Sequence, residues 1–383
     1  MTNVLLQLVF WSSVIALLYI YVGYLAVAHI FSRVIGKPVS RGSIEPTVSI
    51  IITAYNEEKD IRSKIENTLS IDYPKEKLEI LVASDASTDR TDEIAEEYSD
   101  RGVKLFRQEG RAGKTTTQNG AVAKATGEII LFSDATTVYS PDILHALLPN
   151  FADESVGCVA GKLVYLDDSG SGISKGAKSY WSYETLLKKA ESNACSLIGV
   201  SGCIYAVRRG AYVPLYPEAC SDFIICTVLY RQGLRSVYEP SAVCTEMANS
   251  RVENEFGMRV RVISQTFTDL WINRDMLNPL KSGFYAVQLI SHKVFRYSAP
   301  AFLVLMFISS GILAFHSSFY ALLIALEICF YLIAGIAWIL ETRNVRLGFL
   351  AAPFYFVLAN LSSAVGFYKF LRGERFARWE TVR

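Results

Sequence analysis

Val48-Ser49-Ile50-Ile51-Ile52-Thr53-Ala54-Tyr55-Asn56-Glu57 runs from an uncharged, β-branched stretch straight into a polar turn. The short β-branched run from Val48 to Thr53 reads as a strand. The pattern continues outward. Short β-branched runs at Leu78 to Ala83, Glu128 to Phe132 and Val156 to Val164 alternate with helical stretches at Glu57 to Leu69, Asp89 to Tyr98 and Lys114 to Ala125. This alternation predicts an α/β domain with a largely parallel sheet over residues 45–250. Ligands of such sheets bind beyond the carboxyl ends of the strands, so chemistry is expected in the residues that follow each strand.

The flanks differ in character. From Val4 to Ile30 no residue is charged, and at about 1.5 Å per residue such a stretch crosses a hydrocarbon core of about 30 Å. No basic segment precedes it and it is too long for the core of a cleaved leader, so residues 1–32 are expected to form a retained membrane helix. Arg33, Lys37 and Arg41 follow directly, which by the positive-inside rule puts the α/β domain in the cytoplasm.

Beyond Met247, Val252, Phe256, Val260, Ile263, Phe267 and Leu270 recur every three or four residues, with Arg259 and Arg261 off that stripe. Together with Phe284 to Phe295, this predicts amphipathic helices over residues 251–297 resting in the headgroup layer, although a core-facing helix carries the same stripe. Ala299 to Phe315, Phe319 to Leu340 and Leu347 to Leu371 read as membrane segments within residues 298–371. Three crossings would carry Arg372, Arg375, Arg378 and Arg383, in a basic tail over 372–383, to the far side, against the positive-inside rule. Leu347 to Leu371, which contains Pro353, Asn360, Ser362 and Ser363, is therefore expected to be re-entrant or interfacial.

The whole chain has 383 residues, 51% of them hydrophobic, and a formal charge of +1, which suits one large domain plus membrane spans. A near-neutral chain has no surplus of cations for nucleic-acid phosphate, so no nucleic-acid partner is expected. Cys158, Cys195, Cys203, Cys220, Cys226, Cys244 and Cys329 are scattered and form no metal-spaced pair. They read as small buried hydrophobes in a reducing compartment.

Candidate chemistry stands at the strand ends. A carboxylate in Ser84-Asp85-Ala86-Ser87-Thr88-Asp89 can accept from a ribose or from a uracil imide, and Tyr55 offers an aromatic face, whereas Asp89 reads as a helix cap. Gly110-Arg111-Ala112-Gly113-Lys114 joins glycines and two cations ahead of a helix, which suits a diphosphate, though a solvated turn has the same composition. Farther on come Ser133-Asp134-Ala135-Thr136, the small-residue turn Gly199-Val200-Ser201-Gly202-Cys203, and Ser221-Asp222-Phe223 at the start of a helical run.

Taken in this order, the motifs resemble the family 2 glycosyltransferases from Val48 to about Leu270. With the membrane segments, the resemblance is nearest the hyaluronan, cellulose and poly-N-acetylglucosamine synthase branch. It implies a GT-A fold in which Ala54, Tyr55, Glu57 and Asp85 contact the nucleoside of the donor and Lys114 its diphosphate. Asp134 matches the first aspartate of an Asp-x-Asp motif that binds Mg²⁺ or Mn²⁺, and Thr136 stands where the second belongs, leaving the site poorer by one charge. Ser201, Gly202 and Cys203 fall where the branch has its acceptor-side turn, with a buried structural role the other reading of Cys203.

Asp222 falls at the catalytic base, a role compatible with capping its helix. Arg261 matches the arginine of a Gln-x-x-Arg-Trp motif that meets the diphosphate, while Met258 and Val262 replace the glutamine and tryptophan. The missing aromatic face counts against processive polymerisation. The expectation is inverting transfer from a UDP-sugar to a lipid-linked or membrane-associated glycan acceptor at a bacterial inner membrane, with polysaccharide-export proteins as further partners. Two alternatives are a processive β-polysaccharide synthase and a catalytically silent scaffold of a polysaccharide assembly.

Overall fold

The computed structural model describes residues 2–166, 172–247, 251–343, 345 and 347–379, with the backbone alone at 2 and 172–181. Eight strands form one sheet: β1 (Val48–Ala54), β2 (Leu78–Ser84), β3 (Val103–Arg107), β4 (Ile129–Asp134), β5 (Val138–Tyr139), β6 (Val156–Leu166), β7 (Tyr205–Arg208) and β8 (Arg235–Met247). Their order is β3-β2-β1-β4-β7-β6-β8-β5. β1 to β4 are mutually parallel, and β7 is antiparallel to both β4 and β6. All seven residues of β1 are buried, as a parallel sheet covered on both faces requires.

The helices of the domain are α3 (Ile61–Leu69), α4 (Thr91–Glu96), α5 (Lys114–Lys124), α6 (Ile143–Leu147), α7 (Gly172–Ala194) and α8 (Ser221–Arg231), after α1 (Thr2–Leu18) and α2 (Tyr24–Val34) at the N-terminus. Side chains alternate across the sheet with the strand period of two. Ile50 and Ile52 pack with Ile61 and Ile65 of α3 and Leu144 of α6, whereas Ile51 packs with Ala121 of α5 and Leu229 of α8. Helices thus cover both faces, and the strand ends are left to carry the site.

The chain continues through α9 (Val252–Ile272), α10 (Pro279–Ser282), α11 (Phe284–Leu289), α12 (Arg296–Leu313), α13 (Ser318–Thr342) and α14 (Ala351–Leu371). Four stretches are long and apolar enough to cross a membrane: Asn3–Val34, Phe284–Leu313, Ser318–Thr342 and Gly348–Leu371. The amphipathic stretch at Phe284 to Phe295, expected as a separate interfacial helix, is instead the start of a longer one. α11 passes through a π-helical turn at Ile290–Phe295 into α12. Its polar side chains serve the protein: Gln288 Nε2 donates to the Glu191 carbonyl at 3.2 Å, and His292 Nδ1 lies 2.9 Å from Glu191 Oε1. Ser291 Oγ likewise lies 2.7 Å from Tyr19 OH, so these polar groups face other helices of the chain.

α14 is an uninterrupted helix that runs parallel to α9. Tyr355 near its start donates to Glu255 Oε1 at 3.2 Å, and Phe367 and Phe370 near its end pack on Phe267. Gly366 permits the approach, because a β-carbon there would stand 2.9 Å from Ile263 Cγ2 and 3.0 Å from the Val260 carbonyl oxygen. Both ends of α14 are therefore level with the two ends of α9, and the following residues, 374–379, return to the α/β domain. In a Cys329→Ser background, cysteines placed at Lys59 and at Arg375 should react with a membrane-impermeant thiol reagent from the same side. Labelling from opposite sides would contradict this path of the chain.

Candidate active site

The ends of β1 and β2 are locked together. Asp85 N–H donates to the Ala54 carbonyl at 2.9 Å, and Asn56 Oδ1 accepts from Thr88 N–H at 2.8 Å. Asn56 (φ 52°) and Ala86 (φ 57°) lie in the left-handed region, where a β-carbon is disfavoured, and among the described non-glycine residues only these two do so. Strained backbone of this sort persists where surrounding contacts over-determine it. Glu57 is buried and its N–H donates to Thr91 Oγ1 at 2.7 Å. α3 begins at Ile61, later than the expected Glu57, because this turn takes up the intervening residues.

Asp85 is fully buried. Its Oδ1 accepts from Ala112 N–H at 2.7 Å, Gly113 N–H at 3.0 Å and Thr117 Oγ1 at 3.0 Å, and Oδ2 accepts from Gly113 N–H at 3.0 Å. Its carboxylate thus fixes the glycine loop and the start of α5, which aims Lys114. The Lys114 ammonium pairs with Asp134 at the end of β4. Burial opposes the charge on Lys114, but Asp134 outweighs it and holds the ammonium above its ordinary range.

On the opposite wall, Val200 N–H donates to the Asp222 carbonyl at 2.8 Å, which seats the small-residue turn on the start of α8. A β-carbon on Gly202 would lie 3.2 Å from Asp222 Oδ2 and 3.4 Å from Lys114 Nζ, so Gly202, Asp222, Lys114 and Asp134 share one cleft. Ser201 Oγ accepts from Lys188 Nζ at 2.9 Å. Cys203, expected either on the acceptor side or in a buried structural role, turns its thiol into the core, with Sγ 3.6 Å from Cys244 Sγ; that contact, and then burial, raise its pKa. Arg261 is half-buried one turn before Gln265, on the same face of α9.

Several residues here carry no motif. Asp269 is fully buried, accepts from Tyr216 OH and, at 3.1 Å, from Cys220 N–H, and burial pushes its carboxyl up to about 8. It holds the loop that leads into Asp222. Beneath Asp134, Lys64 is 2% exposed, donates to the Thr137 carbonyl at 2.9 Å, and is pushed by burial down to about 7. Glu246 on β8 accepts from Thr136 Oγ1 at 2.8 Å, and burial and then Asp134 push it up to about 7. Tyr55 lies under the Arg111 guanidinium, 3.9 Å from its ring centroid.

The C-terminal residues reach the same place. Trp379 packs edge-on against Tyr55 with ring centroids 6.1 Å apart, and its carbonyl accepts from Arg111. The Phe376 carbonyl accepts from Gln265 Nε2 at 2.6 Å. Gly113, at φ 95°, lies so close that a β-carbon would collide with the Ala377 carbonyl.

Residues 49–213 match the model described as Glycosyl transferase family 2. A Bacillus subtilis (strain 168) protein named "Probable glycosyltransferase YdaM" is 34% identical over 123 residues, which are 30% of this chain and 29% of that protein. The poly-beta-1,6-N-acetyl-D-glucosamine synthase of Staphylococcus aureus (strain COL) is 25% identical over 221 residues, covering 56% of this chain and 53% of that protein. The chain thus spans about half or less of these curated relatives. A solved structure of the mannosyltransferase PcManGT from Pyrobaculum calidifontis, in complex with GDP-Man and Mn2+, superposes with a TM-score of 0.73 at 21% identity, covering 97% of this chain and 100% of that one.

Sheet order and covered faces define an α/β domain of the GT-A type. Within this domain, residues 49–213 carry the sequence pattern of family 2 glycosyltransferases. Because Gly113 meets the tail backbone, Gly113→Ala should release residues 376–379 and speed trypsin cleavage after Arg375 and Arg378 several-fold. An unchanged cleavage rate would show that the tail is not held there.

Proposed function

We propose that this chain is an inverting glycosyltransferase that moves a sugar from a nucleotide-diphosphate donor, a UDP-sugar in the first instance, to a membrane-associated glycan or lipid-linked acceptor. The observation that carries this reading is the convergence of Lys114, Asp134 and Asp222 around Gly202 at the strand ends. One wall offers charge for a departing diphosphate and the other a carboxylate on the acceptor side. Asp222 takes the proton from the acceptor hydroxyl as its oxygen attacks the anomeric carbon, and single displacement inverts that carbon.

Tyr55, Ala54, Glu57 and Asp85 form the nucleoside end of the cleft in this reading, Asp85 by holding the glycine loop. Lys114 and Arg261 bind the diphosphate, and Ser201 and Gly202 flank the acceptor. A divalent cation, Mn²⁺ or Mg²⁺, fits the hard carboxylate of Asp134. Among the described residues no group of three or more His, Cys, Asp or Glu could hold a metal, so the donor's own phosphates would complete the shell. The cation neutralises the leaving diphosphate when bound. PcManGT, whose structure holds GDP-Man and Mn2+, lends support to a metal-assisted sugar transfer.

The four apolar helices support an integral membrane protein, and Arg33, Lys37 and Arg41 support a cytoplasmic domain at a bacterial inner membrane. Polysaccharide-export proteins are natural neighbours for such a product. Processive β-polysaccharide synthesis, the activity in the name of the staphylococcal relative, is the second reading, and Val262 in place of the branch's tryptophan weighs against it.

Donor hydrolysis and transfer by the purified chain, measured with UDP-glucose, UDP-galactose and their N-acetyl forms, test the proposal. Asp222→Asn should lower kcat by about 10²–10⁴-fold with donor binding retained. Turnover at the wild-type level in that variant would remove Asp222 from the base role.

A further inference from the structure

We infer that Glu246 supplies the second protein carboxylate of the metal site, in place of the aspartate missing at position 136. The inference rests on the metal-assisted reading above and concerns only which side chains hold the cation.

Thr136 lies two residues beyond Asp134, on the exposed turn that joins β4 to β5. β5 then pairs with β8 in antiparallel register, Val138 opposite Thr245 and Tyr139 opposite Cys244. This register brings the next residue of β8, Glu246, beside the turn, and Thr136 Oγ1 donates to Glu246 Oε1 at 2.8 Å. An aspartate at 136 would extend one bond beyond the threonine hydroxyl, toward the space that Glu246 Oε1 now fills. The carboxylate lost from the turn is thus present in the same place, delivered from the neighbouring strand.

Charge supports the exchange. Lys114 pairs with Asp134, and Lys64 lies beneath the same turn with its Nζ 2.9 Å from the Thr137 carbonyl. Glu246 adds a second carboxylate beside Asp134, where Lys114 and Lys64 supply cations. A donor diphosphate and a divalent cation, which roughly cancel each other, enter without a net change. Without Glu246 the cation would have at this turn only the carboxylate of Asp134, which Lys114 already pairs.

The test is Mn²⁺ binding by the full-length chain in detergent, followed by the loss of the free-Mn²⁺ electron paramagnetic resonance signal, with UDP and, in parallel, with GDP. Thermal melts confirm that each variant is folded. Glu246→Gln should weaken Mn²⁺ binding by at least about 10–100-fold, the loss typical of an outer-shell partner and a lower bound for a direct ligand. Adding Thr136→Asp to Glu246→Gln should restore it to within a few-fold of wild type. A purely structural hydrogen bond between Glu246 and Thr136 predicts no such rescue, so a double variant as weak as Glu246→Gln overturns the assignment. Wild-type affinity in Glu246→Gln overturns it too, while leaving the metal-assisted reading intact. If the wild-type chain binds no Mn²⁺ with either nucleotide, the metal-assisted reading fails and this assignment with it.

Discussion

The buried carboxylate of Asp85 is the contact on which the arrangement of the cleft depends. Its backbone joins β2 to β1 through the Ala54 carbonyl, and its side chain gathers two loop N–H groups and the Thr117 hydroxyl. Donors shared with a charged acceptor form strong bonds where water is excluded, each worth about 1.5–3 kcal/mol. Without Asp85 the glycine loop has no fixed height above the sheet, and Lys114 has no fixed direction. The wall of the cleft that carries Lys114 takes its geometry from this one residue.

A second anchor acts from the other side. Asp269 on α9 accepts from Tyr216 and from Cys220 N–H, two residues before Asp222. The sheet thus fixes the wall that carries Lys114 and Asp134, while α9, packed along α14, fixes the wall that carries Asp222. Distance across the cleft is set by how α9 seats on the domain. Packing of α14 along α9, through Gly366 and the Phe267 cluster, therefore bears on the site although α14 contributes no polar group to it.

What could be read in advance follows from range along the chain. β-branched runs located β1, β2, β4 and β6 because a strand buried on both faces announces itself locally. Lys114, Asp134 and Asp222 were legible because each directly follows a turn or strand end in a recognisable order. Asp269, Gln265 and Glu246 were not, since each acts through a partner 45 or more residues away and none has a local signature. For Cys203 the sequence left an acceptor-side and a buried structural role open for a related reason. A turn of small residues fixes no side-chain direction, and only the pairing with Cys244 sends the thiol inward. The Phe284 to Phe295 stretch misled because a polar stripe looks the same whether it faces headgroups or Glu191.

The tail over 374–379 has a thermodynamic consequence. Held by Arg111, Tyr55 and Gln265 and tethered to α14, it is an intramolecular competitor whose effective concentration in the cleft is fixed by the few residues that connect it. Any molecule that takes the space before Gly113 meets this resident segment at every encounter. Its apparent affinity is then its intrinsic affinity reduced by the fraction of time the segment is away. Occupancy of the cleft becomes a property of the helix that carries the tail as well as of the residues that line the cleft.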